Sequence, residues 1–293
     1  MSTDTITDTA ELIQRIMKAN KLSDVLDVNH FKAEFTTLMK KIHPDVCKDD
    51  GAGEATAKLN KIKAEFTDGV TYTDDAGEFK SNGYFVDFKG DEKLLKQSLA
   101  NYKLLKAIKE DHFHKYMPSN MEFIDGHLHI NLDARAIPLI NLDLPQEHVN
   151  WILSRILEFG TWLSQSGFVH CGINPASIFI VPETHGIQIC SFYHLTKIDS
   201  KVTTISGRYQ NWYPPALFSD KKAVTTIDLE LAKKTAIYLL GDKSGSGIKL
   251  KKTHNEHFMD FVIAQHYEAF EAYDNYRKML KANFPTKFHI LNI

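Results

Sequence analysis

The sequence predicts an α+β chain in two unequal parts, a small all-α helical-hairpin unit over residues 10–68 and a larger mixed unit over residues 69–293. Three observations carry this. Phe31, Phe35, Leu38 and Ile42 recur at helical spacing, as do Ala55, Leu59, Ile62 and Phe66, so each set lays one apolar stripe along one helix. Between the stripes runs His43 to Gly53, a polar stretch with one proline and two glycines that cannot continue a helix. The second stripe must therefore fold back on the first. After Asp68-Gly69 the texture changes to short β-like runs punctuated by Gly77, Asn82-Gly83 and Gly90.

In chain order, residues 1–9 are polar and carry no packing signal, and Leu12, Ile13, Ile16 and Met17 start a helix that leads into a short one over Leu22 to Val28. The hairpin follows. Asn82-Gly83 predicts a turn between Glu78-Phe79-Lys80 and the strand Tyr84 to Phe88, and Asp125-Gly126 predicts a second between Met121–Ile124 and His127–Leu132. A helix from Glu92 to Lys109 stands between them, with Leu95, Leu99, Tyr102 and Leu105 on its apolar side. Ala136 to Ile140 reads as extended. Pro145 suits the first turn of a helix whose stripe runs through Val149, Ile152, Leu153, Ile156 and Leu157 and ends at Gly167. Two short strands, Ile178–Val181 and Ile187–Cys190, come next, then helices over Asp228–Leu240 and Glu256–Ala282. The Gly/Ser-rich stretch Gly241–Gly247 reads as a linker between those helices.

Composition narrows the function classes. With 293 residues, 43% hydrophobic and 25% charged, the chain has the make-up of a soluble globular protein. A net charge of −2 argues against nucleic-acid binding through bulk positive charge. Cys47, Cys171 and Cys190 are odd in number and widely spaced, which reads as reduced thiols in a cytoplasmic protein with no Cys-x-x-Cys pair for structural zinc. No apolar run approaches the roughly 18 residues of a membrane span. His112/His114 and His127/His129 each put two imidazoles on one side of an extended segment, but without cysteine or glutamate partners at ligand spacing they read as solvated or core-edge histidines. No metal and no cofactor is expected.

At the tip of the hairpin stands His43-Pro44-Asp45, preceded by Lys32, Lys40 and Lys41 on the helix before it. This arrangement resembles the J domain of the DnaJ family, with Ser23–Val28 in the place of its first helix and Lys58–Phe66 matching its third. The resemblance implies a co-chaperone. His43, Pro44 and Asp45 would trigger ATP hydrolysis by a seventy-kilodalton heat-shock chaperone, and Lys32, Lys40 and Lys41 would steer its docking.

The larger unit carries a second resemblance, to protein kinases, with a small lobe over about residues 69–142 and a helical lobe over about 143–293. Gly167-Phe168-Val169-His170-Cys171-Gly172-Ile173-Asn174-Pro175-Ala176-Ser177 looks like the kinase catalytic loop, and Ser191-Phe192-Tyr193 stands where that family has Asp-Phe-Gly. Trp212-Tyr213-Pro214-Pro215-Ala216 looks like a worn Ala-Pro-Glu segment. In this register Gly172 replaces the catalytic aspartate, and Ser177 and Ser191 replace the two metal ligands, while His170 and the buried-helix aspartate Asp228 survive. Asn101 falls near the family's helix glutamate, and Lys80, Lys89 and Lys93 all stay open for the phosphate lysine. Phosphoryl transfer needs carboxylates to hold magnesium and orient the acceptor, so the resemblance implies a pseudokinase that binds a client or partner rather than an enzyme. The alternatives are an atypical phosphotransferase with displaced catalytic groups and a purely structural or interaction protein. The client is not legible in the sequence.

Overall fold

The computed structural model describes residues 9–20, 22–26, 31–109, 111–287 and 289–293, with Ser23, Phe31, Lys32, Asp68 and Asp111 described for their backbone alone. The chain is α+β. It divides into two compact units, Met1–Val70 with Ile293, and Thr71–Asn292. Among the described residues no helix is long and apolar enough to cross a membrane.

The first unit is helical: α1 (Thr9–Lys18), a 3-10 turn at Leu22–Asp24, α2 (Phe31–Ile42) and α3 (Ala52–Asp68). The predicted helix over Leu22–Val28 is reduced to that turn, whose Leu22 carbonyl accepts from the Val25 and Leu26 N–H groups. A segment so short closes too few backbone bonds to repay nucleation. Asp27 and Val28 lie outside the described residues. Thr56 Oγ1 donates to the Ile42 carbonyl (3.2 Å), and Lys63 lies over the Phe35 ring (4.5 Å), so α2 and α3 run antiparallel. Ile42, Ala55, Leu59 and Ile62 are buried with Leu12, Ile13 and Ile16 of α1, and Phe35, Leu38 and Phe66 pack around them. Burial of each large aliphatic side chain contributes about 1.5–3 kcal/mol, which makes the two stripes the main cohesion of this unit.

From Val70 onward the chain forms a sheet of order β1-β2-β3-β5-β4, made of Val70–Thr73, Gly77–Ser81, Phe85–Gly90, His127–Asn131 and Asn120–Ile124 in that order, with β2-β3, β3-β5 and β5-β4 antiparallel. Helix α4 (Glu92–Lys106) packs on β3, β4 and β5 and is capped by Asp91, whose carboxylate accepts from Lys93 N and Leu94 N. At the first hairpin the central pair is Gly83-Tyr84, one residue later than Asn82-Gly83. Asn82 N donates to the Phe85 carbonyl, and the Asn82 side chain accepts from Tyr84 N and Phe85 N, which leaves Gly83 to supply the positive φ of 91°. The second hairpin does centre on Asp125-Gly126, with φ of 51° and 83°.

The rest is built round α5 (Gln146–Gln165), which packs on α7 (Thr226–Leu239) and α9 (Ala269–Asn283). The extended segment shortens to β6 (Ile137–Pro138), which pairs with β8 (Ile178–Val181), and β8 pairs with β9 (Gly186–Ile189). Two two-residue strands, β7 (Phe168–Val169) and β10 (Thr196–Lys197), pair with each other. Helix α6 (Ala216–Asp220) is a single turn or so. The predicted helix over Glu256–Ala282 is instead two, α8 (Glu256–Ile263) and α9. Ala264 is extended, its carbonyl takes a hydrogen bond from the buried Lys233 ammonium (2.5 Å), and Glu268 caps the new helix through Phe270 N and Glu271 N. The Gly241–Gly247 stretch is no loose linker. Asp242 accepts from Ser244 N and Oγ, Ser246 Oγ and Gly247 N, and these donors hold its carboxyl below the usual range against the effect of burial.

Candidate functional site

In the first unit the chain leaves α2 at His43 and re-enters helix at Ala52. The His43 carbonyl accepts from Val46 N (2.8 Å) and Cys47 N (2.9 Å), so the tripeptide is a closed turn. Lys48 Nζ closes it further by donating to the Pro44 carbonyl (3.2 Å). The His43 ring nitrogen Nδ1 lies 3.3 Å from both the Asp45 backbone N–H and the Asp45 carboxylate. One nitrogen serves both: neutral, it accepts from the N–H; protonated, it donates to the carboxylate. Neither contact uses Nε2. The side chains of His43 and Asp45 are 45% and 86% exposed, and Pro44, Lys40 and Lys41 are exposed as well. Pro44, Asp45 and the two lysines thus present a surface, while the Lys32 side chain lies outside the described part.

In the second unit, His170, Gly172, Ser177, Ser191 and Asp228 come together round one buried loop. Asp228, in the first turn of α7 and 5% exposed, accepts the backbone N–H groups of His170 (2.6 Å) and Cys171 (2.8 Å). Cys171 has a φ of 56°, a left-handed conformation that costs a non-glycine residue about 1–3 kcal/mol. Asp228 on its N–H and the Tyr213 hydroxyl on its carbonyl (2.7 Å) hold it there. Burial raises the Asp228 carboxyl to about 7, with the two N–H groups acting in the opposite direction. His170 Nε2–H donates to the Ser191 carbonyl (2.9 Å), and burial lowers the ring to about 3, so it is a neutral donor clasped edge-on by Phe159 and Phe192. The expected ligand positions serve the loop itself. Ser177 Oγ accepts from Asn174 N and donates to the Asn174 carbonyl, and Asn174 Oδ1 accepts from Ala176 N and Ser177 N. A Cβ at Gly172 would meet the His194 ring at 2.7 Å, so the space a longer side chain needs is already taken. Asn101 of α4 donates to the Phe192 carbonyl (2.7 Å), and Ser98 Oγ accepts from Phe192 N (2.9 Å), which joins the sheet portion to the loop.

Sequence reasoning did not find the second half of this site. Two carboxylates of the β1–β2 turn reach the segment after Ser191. Asp74 accepts from the Tyr193 hydroxyl (2.7 Å) and from Ala76 N and Gly77 N, while Asp75 accepts from Ser206 Oγ (2.9 Å) and lies 3.4 Å from His194 Nε2. His194 Nδ1 in turn meets Thr204 Oγ1 at 3.0 Å, and Arg208 donates to the Thr73 carbonyl and hydroxyl. These partners are more than a hundred residues apart from the turn in sequence, so no local signal announces them. Every Asp74 and Asp75 oxygen has a protein partner, and the arrangement ties a turn down rather than offering a metal its ligands. His127 and His129 share Asp87, at 3.0 and 3.3 Å. Among the described residues no group of three or more His, Cys, Asp or Glu is arranged to hold a metal.

Burial raises the Asp74 carboxyl to about 6, against the bonds from Tyr193, Ala76 and Gly77. A carboxyl raised in the folded state stabilises the fold below its unfolded value of about 3.9, and that contribution is lost as pH rises through 6. Asn at position 74 mimics the protonated form: Oδ1 keeps the two N–H bonds and Nδ2–H donates to Tyr193. Urea titrations should therefore show wild type losing up to about 3 kcal/mol relative to Asp74→Asn between pH 4 and 7. A difference independent of pH would mean that Asp74 is charged throughout.

No protein-family model matches the chain, and no curated protein matches its sequence.

Proposed function

We propose that the chain is a J-type co-chaperone whose first unit stimulates ATP hydrolysis by a seventy-kilodalton heat-shock chaperone. The second unit, in this reading, is a catalytically inactive kinase-like module that selects the client or partner. The observation that carries the first half is the closed, solvent-facing His43-Pro44-Asp45 turn between antiparallel helices, flanked by Lys40 and Lys41. A core element would hide these side chains; a docking element displays them. The second half is supported by the loop round Asp228, whose hydrogen bonds are those of a scaffold. Ser177 is spent on Asn174, and no carboxylate stands at Gly172 or Ser191 to hold magnesium.

Exposed lysines act on a partner mainly by long-range attraction, which raises the association rate and is screened within about 8–10 Å at ordinary ionic strength. Lys40→Glu/Lys41→Glu is expected to weaken chaperone binding by about tenfold or more at low salt, with the gap narrowing as salt is added. Surface plasmon resonance over a salt series measures this. Equal binding by both proteins at low salt would overturn the docking face, and robust phosphorylation activity dependent on the second unit would overturn the inactive-module half.

A further inference from the structure

We infer that the cleft between the start of α5 and the end of α9 binds a small organic anion with a flat apolar body, an aromatic carboxylate in chemical class. The inference stands apart from the chaperone reading. Glu147, Asn150, Trp151 and Ser154 follow each other at helical spacing and turn one face of α5 to the cleft; Arg277, Leu280 and Lys281 do the same for α9, with Phe284 just past its end. The chain then doubles back after Phe284, and Pro285 to Lys287 form the third wall. Leu291 anchors that return: its side chain is buried and its N–H donates to the Pro182 carbonyl (3.2 Å). The open cleft's volume of about 330 Å³ falls within the range of small-ligand sites, which are apolar with a few convergent polar groups.

Charge sets the sign of the ligand. Arg277, Lys281 and Lys287 line the cleft against the single carboxylate of Glu147, and among the described residues none of the three cations pairs with an internal carboxylate. Helix ends do not change this. The roughly half-unit positive end of α5 and the equal negative end of α9 both lie here and offset each other. Trp151 sets the shape. Its ring is half-buried and braced by the stacked His185 ring (centroids 6.4 Å apart, 16° between planes), a rigid flat wall suited to an aromatic face. Asn150 and Ser154 add hydrogen-bonding groups beside it.

The test is calorimetric titration of the full chain with naphthalene-2-carboxylate and with its neutral counterpart, 2-naphthylmethanol. The carboxylate is expected to bind at one saturable site at least about tenfold more tightly than the alcohol. Arg277→Glu/Lys281→Glu should remove that preference, and Trp151→Ala should weaken both ligands. Should the double variant unfold, Lys287→Glu on the returning segment tests the same charge. Equal affinity for acid and alcohol, no saturable binding, or a preference that survives charge reversal would each overturn the site.

Discussion

His43→Gln abolishes the stimulation of single-turnover ATP hydrolysis in a bacterial-type seventy-kilodalton heat-shock chaperone, while the wild-type chain accelerates it: this is the result expected of the proposed trigger. Gln is a demanding replacement because it is polar, similar in reach and easily accommodated at a site where the side chain is 45% exposed. What it lacks is a ring nitrogen that accepts from the Asp45 N–H when neutral and donates to the Asp45 carboxylate when protonated. The stability cost should stay below about 1 kcal/mol, since only one exposed hydrogen bond is at stake. Loss of stimulation without loss of fold would therefore locate the effect in docking. Stimulation retained by the variant, or absent from wild type with several chaperones, would make the hairpin a structural element and send the search for function to residues 71–292.

Asp228→Ala is expected to destabilise the second unit by about 3–5 kcal/mol, a large share of the 5–15 kcal/mol that holds a typical domain together. The variant strands two buried N–H groups, at about 1–3 kcal/mol each, and releases the left-handed Cys171 from the group that holds it. Part of this is returned, because burial of Asp228 is itself costly enough to raise its carboxyl to about 7. Asp228→Asn should fall between, as one N–H keeps an acceptor and the other faces an amide. Urea denaturation followed by tryptophan fluorescence at pH 7 reads the unit directly, since Trp151, Trp162 and Trp212 all belong to it. A change under about 1 kcal/mol would show that the clamp is not what secures the loop.

The hairpin tip and the Asp228 clamp rest on signals of different range. The hairpin was legible because its signal is local: 3.6-residue periodicity on either side of a proline-containing turn leaves α2 and α3 few ways to bury both stripes. The Asp125-Gly126 turn, the α5 stripe ending at Gly167 and the α7 helix were legible for the same reason. Where local signals misled, a hydrogen bond that periodicity and composition do not report had intervened. The periodicity over Glu256–Ala282 is continuous, yet buried Lys233 needs an acceptor, and the freed Ala264 carbonyl at the break supplies it. The serines of Gly241–Gly247 suggest flexibility until Asp242 gathers them.

The loop round Asp228 divides along the same line. By sequence alone, His170 and Asp228 are two residues of apt type at an apt separation, and Gly172, Ser177 and Ser191 are absences of charge. Only the folded chain brings the Asp228 carboxylate to two specific N–H groups, fills the space beside Gly172 with His194, and draws Asp74 and Asp75 from the β1–β2 turn onto Tyr193, His194 and Ser206. The physical reason is range. Helix periodicity and turn chemistry act over a few residues and are written in order along the chain, whereas a buried polar group takes whichever donor or acceptor packing leaves within about 3 Å. Sequence thus determined the longer helices, the Asp125-Gly126 turn and that the tripeptide lies at a hairpin tip; the folded structure decided where the predicted Glu256–Ala282 helix breaks, which polar groups meet, and therefore what the larger unit has room to bind.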